Sequence, residues 1–125
     1  MRLLLDTHVV LWALTDPNEL SGEARARIED PANMAAVSAV SAWEIAIKSA
    51  AGTLKFDVDL REAMSEVDFL PLSITIEHAL TAGRLPPHHK DPFDRMLVAQ
   101  AITDGWTLVT RDTKMQAYGV PVLAA

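Results

Sequence analysis

Four acidic side chains stand at positions from which carboxylates could act together: Asp6, Glu44, Asp94 and Asp112. Asp6 directly follows the apolar residues 3–5, and Asp112 lies two residues after the strand candidate at residues 107–110. Clustered carboxylate oxygens are the ligands that Mg²⁺ and Mn²⁺ prefer in proteins. Without a cation, such crowding raises carboxylate pKa values and strains the fold. The chemistry that these residue types indicate is therefore metal-assisted.

Each acid also has a structural interpretation. Asp6 and Asp112 could cap the helical segments that follow them, because aspartate caps helices well and favours the positive end of the helix dipole. Glu44 completes an S-x-x-E capping box that begins at Ser41, and it lies four residues before Lys48, the spacing of a favourable helical ion pair. Position alone does not decide between capping and chemistry at these sites.

Asp94 is harder to explain as a structural residue. It shares one face of its predicted helix with apolar residues that should turn towards the sheet: Leu97, Val98, Ala101 and Ile102. A carboxylate on that face is costly unless something compensates its charge. Asp91 lies three residues earlier, at the helix entrance, where capping is a sufficient account. We therefore favour a functional role for Asp94, whereas Asp91 stays open between capping and function.

Alternating strands and helices must position these side chains. The sequence predicts strands over residues 3–5, 34–38, 69–72, 107–110 and 120–123. It predicts helices over residues 9–14, 21–29, 41–50, 59–67, 75–82 and 91–104, with Gly83 ending the fifth. This alternation indicates an α/β fold with a central parallel sheet and helices on both faces. Parallel strands place their carboxyl ends at one edge, where the four carboxylates should meet.

Composition narrows the class of protein. The chain has 125 residues, half of them apolar, and shows no repeat, so we expect one domain over residues 1–125. It has no cysteine, which excludes a disulfide scaffold, a thiol nucleophile and a cysteine-ligated zinc site. The formal charge of −6 excludes a uniformly basic surface, although bound divalent cations would offset part of it. Asp6 interrupts the first apolar run too early for a secretory signal, so a cytoplasmic location is expected.

The other short motifs add basic residues and exclude several chemistries. Phosphate contacts could come from basic residues near the acids: Arg95, Arg111 and Lys48, with Lys90 and Lys114 as further candidates. The glycines form no nucleotide-binding loop, and no G-x-S-x-G or H-E-x-x-H motif occurs. His88 and His89 are interpreted as loop residues rather than ligands, because loops favour exposed polar side chains.

Four segments occur together in the order that one family shows. They are LLLDTH with LWAL at residues 3–8 and 11–14, residues 38–48 around Trp43-Glu44-Ile45, DPFDRMLVAQA at residues 91–101, and LVTRD at residues 108–112. Through these segments the chain resembles PIN-domain ribonucleases, and in particular the VapC-type toxins of bacterial type II toxin-antitoxin pairs. The resemblance covers essentially the whole chain.

The resemblance implies a site and an activity. In that family four acids form the metal and catalytic site, and they correspond here to Asp6, Glu44, Asp94 and Asp112. Because the late acid of the family aligns better with Asp94, Asp91 is kept as an auxiliary metal ligand. It implies a single PIN domain that hydrolyses RNA with Mg²⁺ or Mn²⁺, a ligand-orienting neighbour at Thr7 or Thr110, a homodimer, and a cognate antitoxin that covers the groove. A bound ion would activate water, and that ion or a second one would stabilise the leaving oxygen.

Two other functions stay open from the sequence. One is a non-catalytic PIN-like interaction module that keeps the acids only as helix caps. The other is a Mg²⁺-dependent phosphotransfer domain, which would need a paired acid after the first strand and a lysine after the last. Thr7 and His8 follow Asp6, and residues 120–125 contain no lysine, which disfavours the second alternative. The sequence does not distinguish RNA from DNA as the substrate.

Overall fold

A five-stranded parallel sheet forms the centre of the protein, with strand order β3-β2-β1-β4-β5. The computed structural model describes residues 1–125, apart from the side chain of Thr113. The strands are β1 (Arg2–Leu5), β2 (Met34–Ser38), β3 (Leu70–Leu72), β4 (Thr107–Thr110) and β5 (Val122–Ala124). The α-helices are α1 (Thr7–Thr15), α2 (Gly22–Glu29), α3 (Ala39–Ala50), α4 (Leu60–Glu66), α5 (Ile76–Arg84) and α6 (Pro92–Asp104). Short 3₁₀ helices cover Pro17–Glu19 and Thr113–Tyr118. The predicted α/β class is confirmed.

The central strand β1 is buried on both faces, which explains its uninterrupted leucines. Leu3 and Leu5 pack into the core formed with α1, α2 and α4, whereas Leu4 packs with α6 on the opposite face. All three leucines are fully buried, as a parallel strand covered by helices on both sides requires. The predicted helices on both faces of the sheet are therefore present.

The position of β1 also bears on the phosphotransfer alternative. β1 pairs in parallel with β2 on one side and with β4 on the other. In the flavodoxin-like topology of receiver domains, the first and third strands are neighbours instead. The observed strand order therefore disfavours a receiver-type phosphotransfer domain.

Helix α6 begins and ends where its sequence predicts. Asp91 is the N-cap, Pro92 occupies the first turn, and Gly105 closes the helix in the left-handed conformation at φ 75°. Leu97, Val98 and Ala101 are buried as predicted, but Ile102 is 47% exposed. Ile102 lies about 80° around the helix from Asp94, at the edge of the buried face rather than within it.

Three predicted helix boundaries are wrong by two residues, and the first is that of α1, which begins at Thr7 rather than at residue 9. Helix α3 begins at Ala39 because Ser38, at the end of β2, is the cap and accepts a hydrogen bond from the Val40 amide. Ser41 therefore does not cap the helix, and the proposed capping box does not form. Helix α5 continues through Gly83 to Arg84. It ends before Leu85, whose extended backbone is the conformation that a following proline favours.

None of the helices in the described part of the chain is long and apolar enough to cross a membrane.

Candidate metal centre

All five acidic residues singled out in the sequence line one cavity. The cavity has a volume of about 340 Å³ and lies at the carboxyl edge of the sheet. Its acidic lining residues are Asp6, Glu44, Asp91, Asp94 and Asp112. Its other lining residues are Thr7, His8, Trp12, Lys48 and Arg111. The structure thus brings together carboxylates from four separate segments of the chain.

Asp6 lies at the junction of β1 and α1 and is only 7% exposed. One carboxylate oxygen accepts a hydrogen bond of 2.9 Å from the Val9 amide, so Asp6 does cap α1. The other oxygen accepts a hydrogen bond from the Thr110 hydroxyl, which itself accepts one from the Asp112 amide at 2.9 Å. Burial raises the pKa of Asp6, opposed by these hydrogen bonds. Asp6 therefore caps α1 with one carboxylate oxygen and still belongs to the acidic cluster.

Glu44 enters the cavity from α3 and is 4% exposed. Its Oε1 accepts a hydrogen bond of 2.6 Å from Thr7, and its Oε2 accepts one of 2.5 Å from Lys48. The predicted pair of Glu44 and Lys48 is present, and it raises the pKa of the Lys48 ammonium. Ser41, buried on the same helix, lies 3.1 Å from the Thr7 hydroxyl. Thr7 and Thr110 therefore both contact a carboxylate of the cluster, as the sequence resemblance implied.

Asp91 and Asp94 enter from the first turn of α6. Asp91 accepts hydrogen bonds from the amides of Phe93 and Asp94, so its capping role is present. Burial raises the pKa of Asp94 to about 7, and the negative charge of Asp91 adds to the shift. Asp6 and Glu44 raise it further, whereas His89 lowers it. Burial is thus the main cause of the raised pKa of Asp94, and repulsion by the neighbouring carboxylates adds to it.

Asp112 and His89 complete the cluster on the side of β4. Asp112 Oδ1 accepts from the Lys114 amide and caps the 3₁₀ helix, while Oδ2 lies 2.7 Å from His89 Nε2. The same imidazole nitrogen lies 3.0 Å from Asp94 Oδ2. Partial burial raises the pKa of Asp112, but the hydrogen bonds from His89 and Lys114 outweigh it, so the pKa is lowered.

His89 is the residue that sequence reasoning missed. It lies in a loop, as predicted, but its ring contacts two carboxylates of the cluster. His88 instead packs edge-on against Tyr118. No short motif distinguishes the two histidines, because the contacts of His89 join segments that only the folded chain brings together.

The predicted phosphate-contacting residues separate into two groups. Arg111 lines the cavity, where its guanidinium lies 4.0 Å from the centre of the Trp12 ring, and Lys48 also lines it. Arg95 donates instead to the backbone carbonyls of four residues: Ala82, Leu85, Pro86 and His89. Arg95 therefore organises the loop before α6, and the structure does not bring it to the cavity. Lys90 and Lys114 are exposed.

The residues present fit a hard divalent cation. Half of the residues that line the cavity are acidic, and ligand atoms of His89, Asp94 and Asp112 all lie within 4.8 Å of one another. Burial raises the pKa values of Asp6 and Asp94, and the negative charges of neighbouring acids add to both shifts. Oxygen donors with excess negative charge match Mg²⁺ or Mn²⁺ rather than a soft metal.

Stability of the metal-free protein should depend on pH through Asp94. Because its folded-state pKa of about 7 exceeds the ordinary value of 3.8, the folded state binds the proton more tightly, and stability is lost as pH rises between these values. Asp94→Asn imitates the protonated side chain. In EDTA at pH 8 we expect this variant to be more stable than wild type by about 2 kcal/mol, roughly half the linkage value because Asp94 is partly solvated.

The measurement is urea unfolding of both proteins at pH 4 and pH 8. The difference between them should be small at pH 4 and should grow with pH. A constant difference would show that Asp94 ionises in the folded protein as it does in the unfolded chain.

Comparison with known proteins identifies the family. A family model of the PIN domain matches residues 3–121. The chain belongs to the PIN domain family. This PIN domain is 36% identical over 127 residues to Ribonuclease VapC22 of Mycobacterium tuberculosis, covering 95% of this chain and 93% of that protein. The family membership and the VapC resemblance predicted from four sequence segments are confirmed.

Solved structures share the fold. VapBC2 from Rickettsia felis, bound to a DNA fragment from its promoter, superposes with a TM-score of 0.69 at 15% identity, covering 99% of this chain and 98% of that chain. DNA-bound VapBC from Salmonella typhimurium gives the same TM-score at 14% identity, with 99% and 98% covered. At these identities the likeness establishes the PIN fold.

Proposed function

We propose that this PIN domain is a metal-dependent endoribonuclease that hydrolyses RNA phosphodiester bonds. The observation that carries the proposal is the convergence of Asp6, Glu44, Asp94 and Asp112 on one cavity of about 340 Å³. These four would hold Mg²⁺ or Mn²⁺, with Asp91 as an auxiliary acid. The relative named Ribonuclease VapC22 supports RNA as the substrate.

The side chains of this protein would have different roles at such a metal site. A bound divalent cation supplies Lewis-acid chemistry, which lowers the pKa of water and stabilises charge developing on a phosphodiester. Thr110 and Thr7 orient the carboxylates of Asp6 and Glu44 through their hydroxyl groups. A carboxylate of the cluster also provides a proton acceptor for the attacking water, directly or through a second water.

Two basic side chains are placed to contact the substrate backbone. Arg111 is 45% exposed, and its position over Trp12 directs a delocalised charge to the cavity wall. Lys48 is 44% exposed and remains protonated because Glu44 raises its pKa. Both therefore offer positive charge to phosphate groups beside the carboxylates.

The biological role that fits this activity is the toxin of a toxin-antitoxin pair. The name of the 36% identical relative and the VapBC complexes among similar structures support it. In this role the protein acts on cytoplasmic RNA, forms a homodimer and is inhibited by a cognate antitoxin. Co-expression with the product of a short adjacent gene tests the role, because an antitoxin should co-purify and suppress cleavage.

Incubation of the purified protein with total RNA tests the activity. We expect new RNA ends with Mn²⁺ or Mg²⁺ and none with EDTA, because cleavage requires the cation. Mapping those ends gives the cleavage sequence, and single-stranded DNA of matched sequence tests the choice of nucleic acid. RNA that stays intact with both metals would contradict the proposal and favour a non-catalytic interaction module.

Metal should also stabilise the folded protein. A ligand that binds only the folded state at about 100 times its dissociation constant adds about 2.7 kcal/mol to the free energy of unfolding. We expect a rise of this size with Mn²⁺, measured by thermal unfolding, and a much smaller one in Asp94→Asn. Equal unfolding temperatures with Mn²⁺ and with EDTA would show that the cluster does not bind the ion.

A further inference from the structure

The imidazole of His89 bridges two acids that belong to different segments of the chain. Its Nε2 lies 2.7 Å from Asp112 Oδ2 and 3.0 Å from Asp94 Oδ2. The side chain is 11% exposed, so water competes little for these contacts. The bridge joins the start of α6 to the end of β4, the two segments that bring these carboxylates to the cavity.

The other ring nitrogen determines what Nε2 can do. His89 Nδ1 lies 3.1 Å from the backbone nitrogen of Asp91, whose N–H can only donate. Nδ1 must therefore be the accepting, unprotonated nitrogen, so the ring proton of a neutral imidazole is on Nε2. With its proton on Nε2, the ring donates a hydrogen bond to Asp112 Oδ2, and Nε2 has no lone pair available for a metal ion.

The surrounding loop holds this ring in place from several directions. The His89 amide donates to the Tyr118 hydroxyl at 2.9 Å, and the His89 carbonyl accepts from Arg95 at 3.3 Å. Tyr118 also donates to the Pro86 carbonyl at 3.0 Å. Both backbone polar groups of His89 are thus used, and the donor position of Nε2 is fixed by the fold.

We propose that His89 is a positioning residue that orients Asp94 and Asp112 for the metal ion and does not itself coordinate it. The inference rests on the proposed function, because it concerns the same cation site. Asp112 Oδ2 accepts a hydrogen bond from Nε2–H, and Asp94 Oδ2 contacts the same nitrogen at 3.0 Å, so both carboxylates are held against the ring. The second oxygen of Asp94 and the remaining lone pairs of Asp112 are left for the cation. Hydrogen bonds to ligating groups from outside the coordination sphere commonly change metal affinity by about 10- to 100-fold.

Calorimetric titration of Mn²⁺ into four proteins tests this role. They are wild type, His89→Ala, His89→Gln and His88→Ala. We expect His89→Ala to bind Mn²⁺ about 10- to 100-fold more weakly than wild type. His89→Gln should recover most of that loss, because its side-chain amide can donate from a position close to Nε2. His88→Ala is the matched control, since His88 lies in the same loop and contacts Tyr118.

A spectroscopic measurement separates positioning from coordination. Pulsed electron paramagnetic resonance of the Mn²⁺-loaded wild type detects a directly bonded imidazole nitrogen through its hyperfine coupling. We expect no such coupling. A bonded-nitrogen signal that disappears in His89→Ala would overturn the proposal and make His89 a ligand.

The calorimetric outcomes separate this inference from the proposed function. Equal Mn²⁺ affinity in wild type and His89→Ala would overturn the role of His89 and leave the metal site intact. Equal losses in His88→Ala and His89→Ala would assign the effect to the loop and likewise overturn it. Failure of wild type to bind Mn²⁺ would overturn the metal site itself. Circular dichroism of each variant identifies loss of fold, and if His89→Ala is unfolded, His89→Gln and the wild-type resonance spectrum still decide the question.

Discussion

Asp6→Asn should lower the rate of RNA cleavage by at least about a thousandfold, which corresponds to about 4 kcal/mol of transition-state stabilisation. Asn removes the negative charge from a buried position in the centre of the acidic cavity. The fold should be retained, because Asn can accept the hydrogen bond from Val9 and is as good a helix cap as Asp. Single-turnover cleavage of a defined RNA in Mn²⁺ measures the effect.

Asp59→Asn provides a matched control for this change. Asp59 caps α4 as Asp6 caps α1, by accepting a hydrogen bond from the amide three residues later. It is not among the residues that line the acidic cavity. We therefore expect cleavage by Asp59→Asn to equal that of wild type. Cleavage at the wild-type rate by Asp6→Asn would remove Asp6 from the reaction.

Arg95→Ala should destabilise the fold by about 3 kcal/mol, because hydrogen bonds from a charged donor contribute roughly 1.5 to 3 kcal/mol each and these are partly exposed. The guanidinium donates to four backbone carbonyls between the end of α5 and the loop before α6. Arg95→Lys should recover only part of the loss, since an ammonium cannot reproduce the planar fork. Urea unfolding in EDTA measures both changes without any contribution from metal binding.

Arg25→Ala is the control that shows how much the hydrogen bonds from Arg95 to backbone carbonyls contribute to stability. Arg25 forms an exposed ion pair with Glu29 at 2.9 Å on α2. Pairs of this kind contribute at most about 1 kcal/mol. If Arg95→Ala is no more destabilising than Arg25→Ala, the guanidinium does not hold the loop, and a role in contacting phosphate regains support.

Much of the fold could be predicted because the helix and strand signals in short stretches of the sequence agree with the packing of the folded protein. Helix α6 carries a capping Asp91, Pro92 in its first turn and Gly105 at its end, and each signal acts within a few residues. The leucines of β1 predicted a strand covered on both faces because only such a strand lacks a polar side. The meeting of the acids could also be predicted, because the carboxyl ends of parallel strands lie at the same edge of a sheet.

The errors come from interactions that local sequence does not encode. The S-x-x-E pattern at Ser41 matches a capping box, but β2 runs directly into α3 and Ser38 takes the capping position. The Ser41 hydroxyl is instead buried against Thr7, 34 residues away. Similarly, the sequence indicated a phosphate contact for Arg95 and a loop position for His89. Their partners are loop carbonyls and distant carboxylates, which become neighbours only after folding.

The central place of β1 has a consequence for when the protein can become active. Asp6 reaches its full environment only when Thr110 donates to it, across 104 residues of sequence. Asp112 lies beyond β4, so it is synthesised after the segments that carry the other acids of the cavity. A nascent chain still missing this segment holds its early acids without the strand that closes the site. The acidic cavity therefore cannot be complete until β4 has been synthesised and has paired with β1.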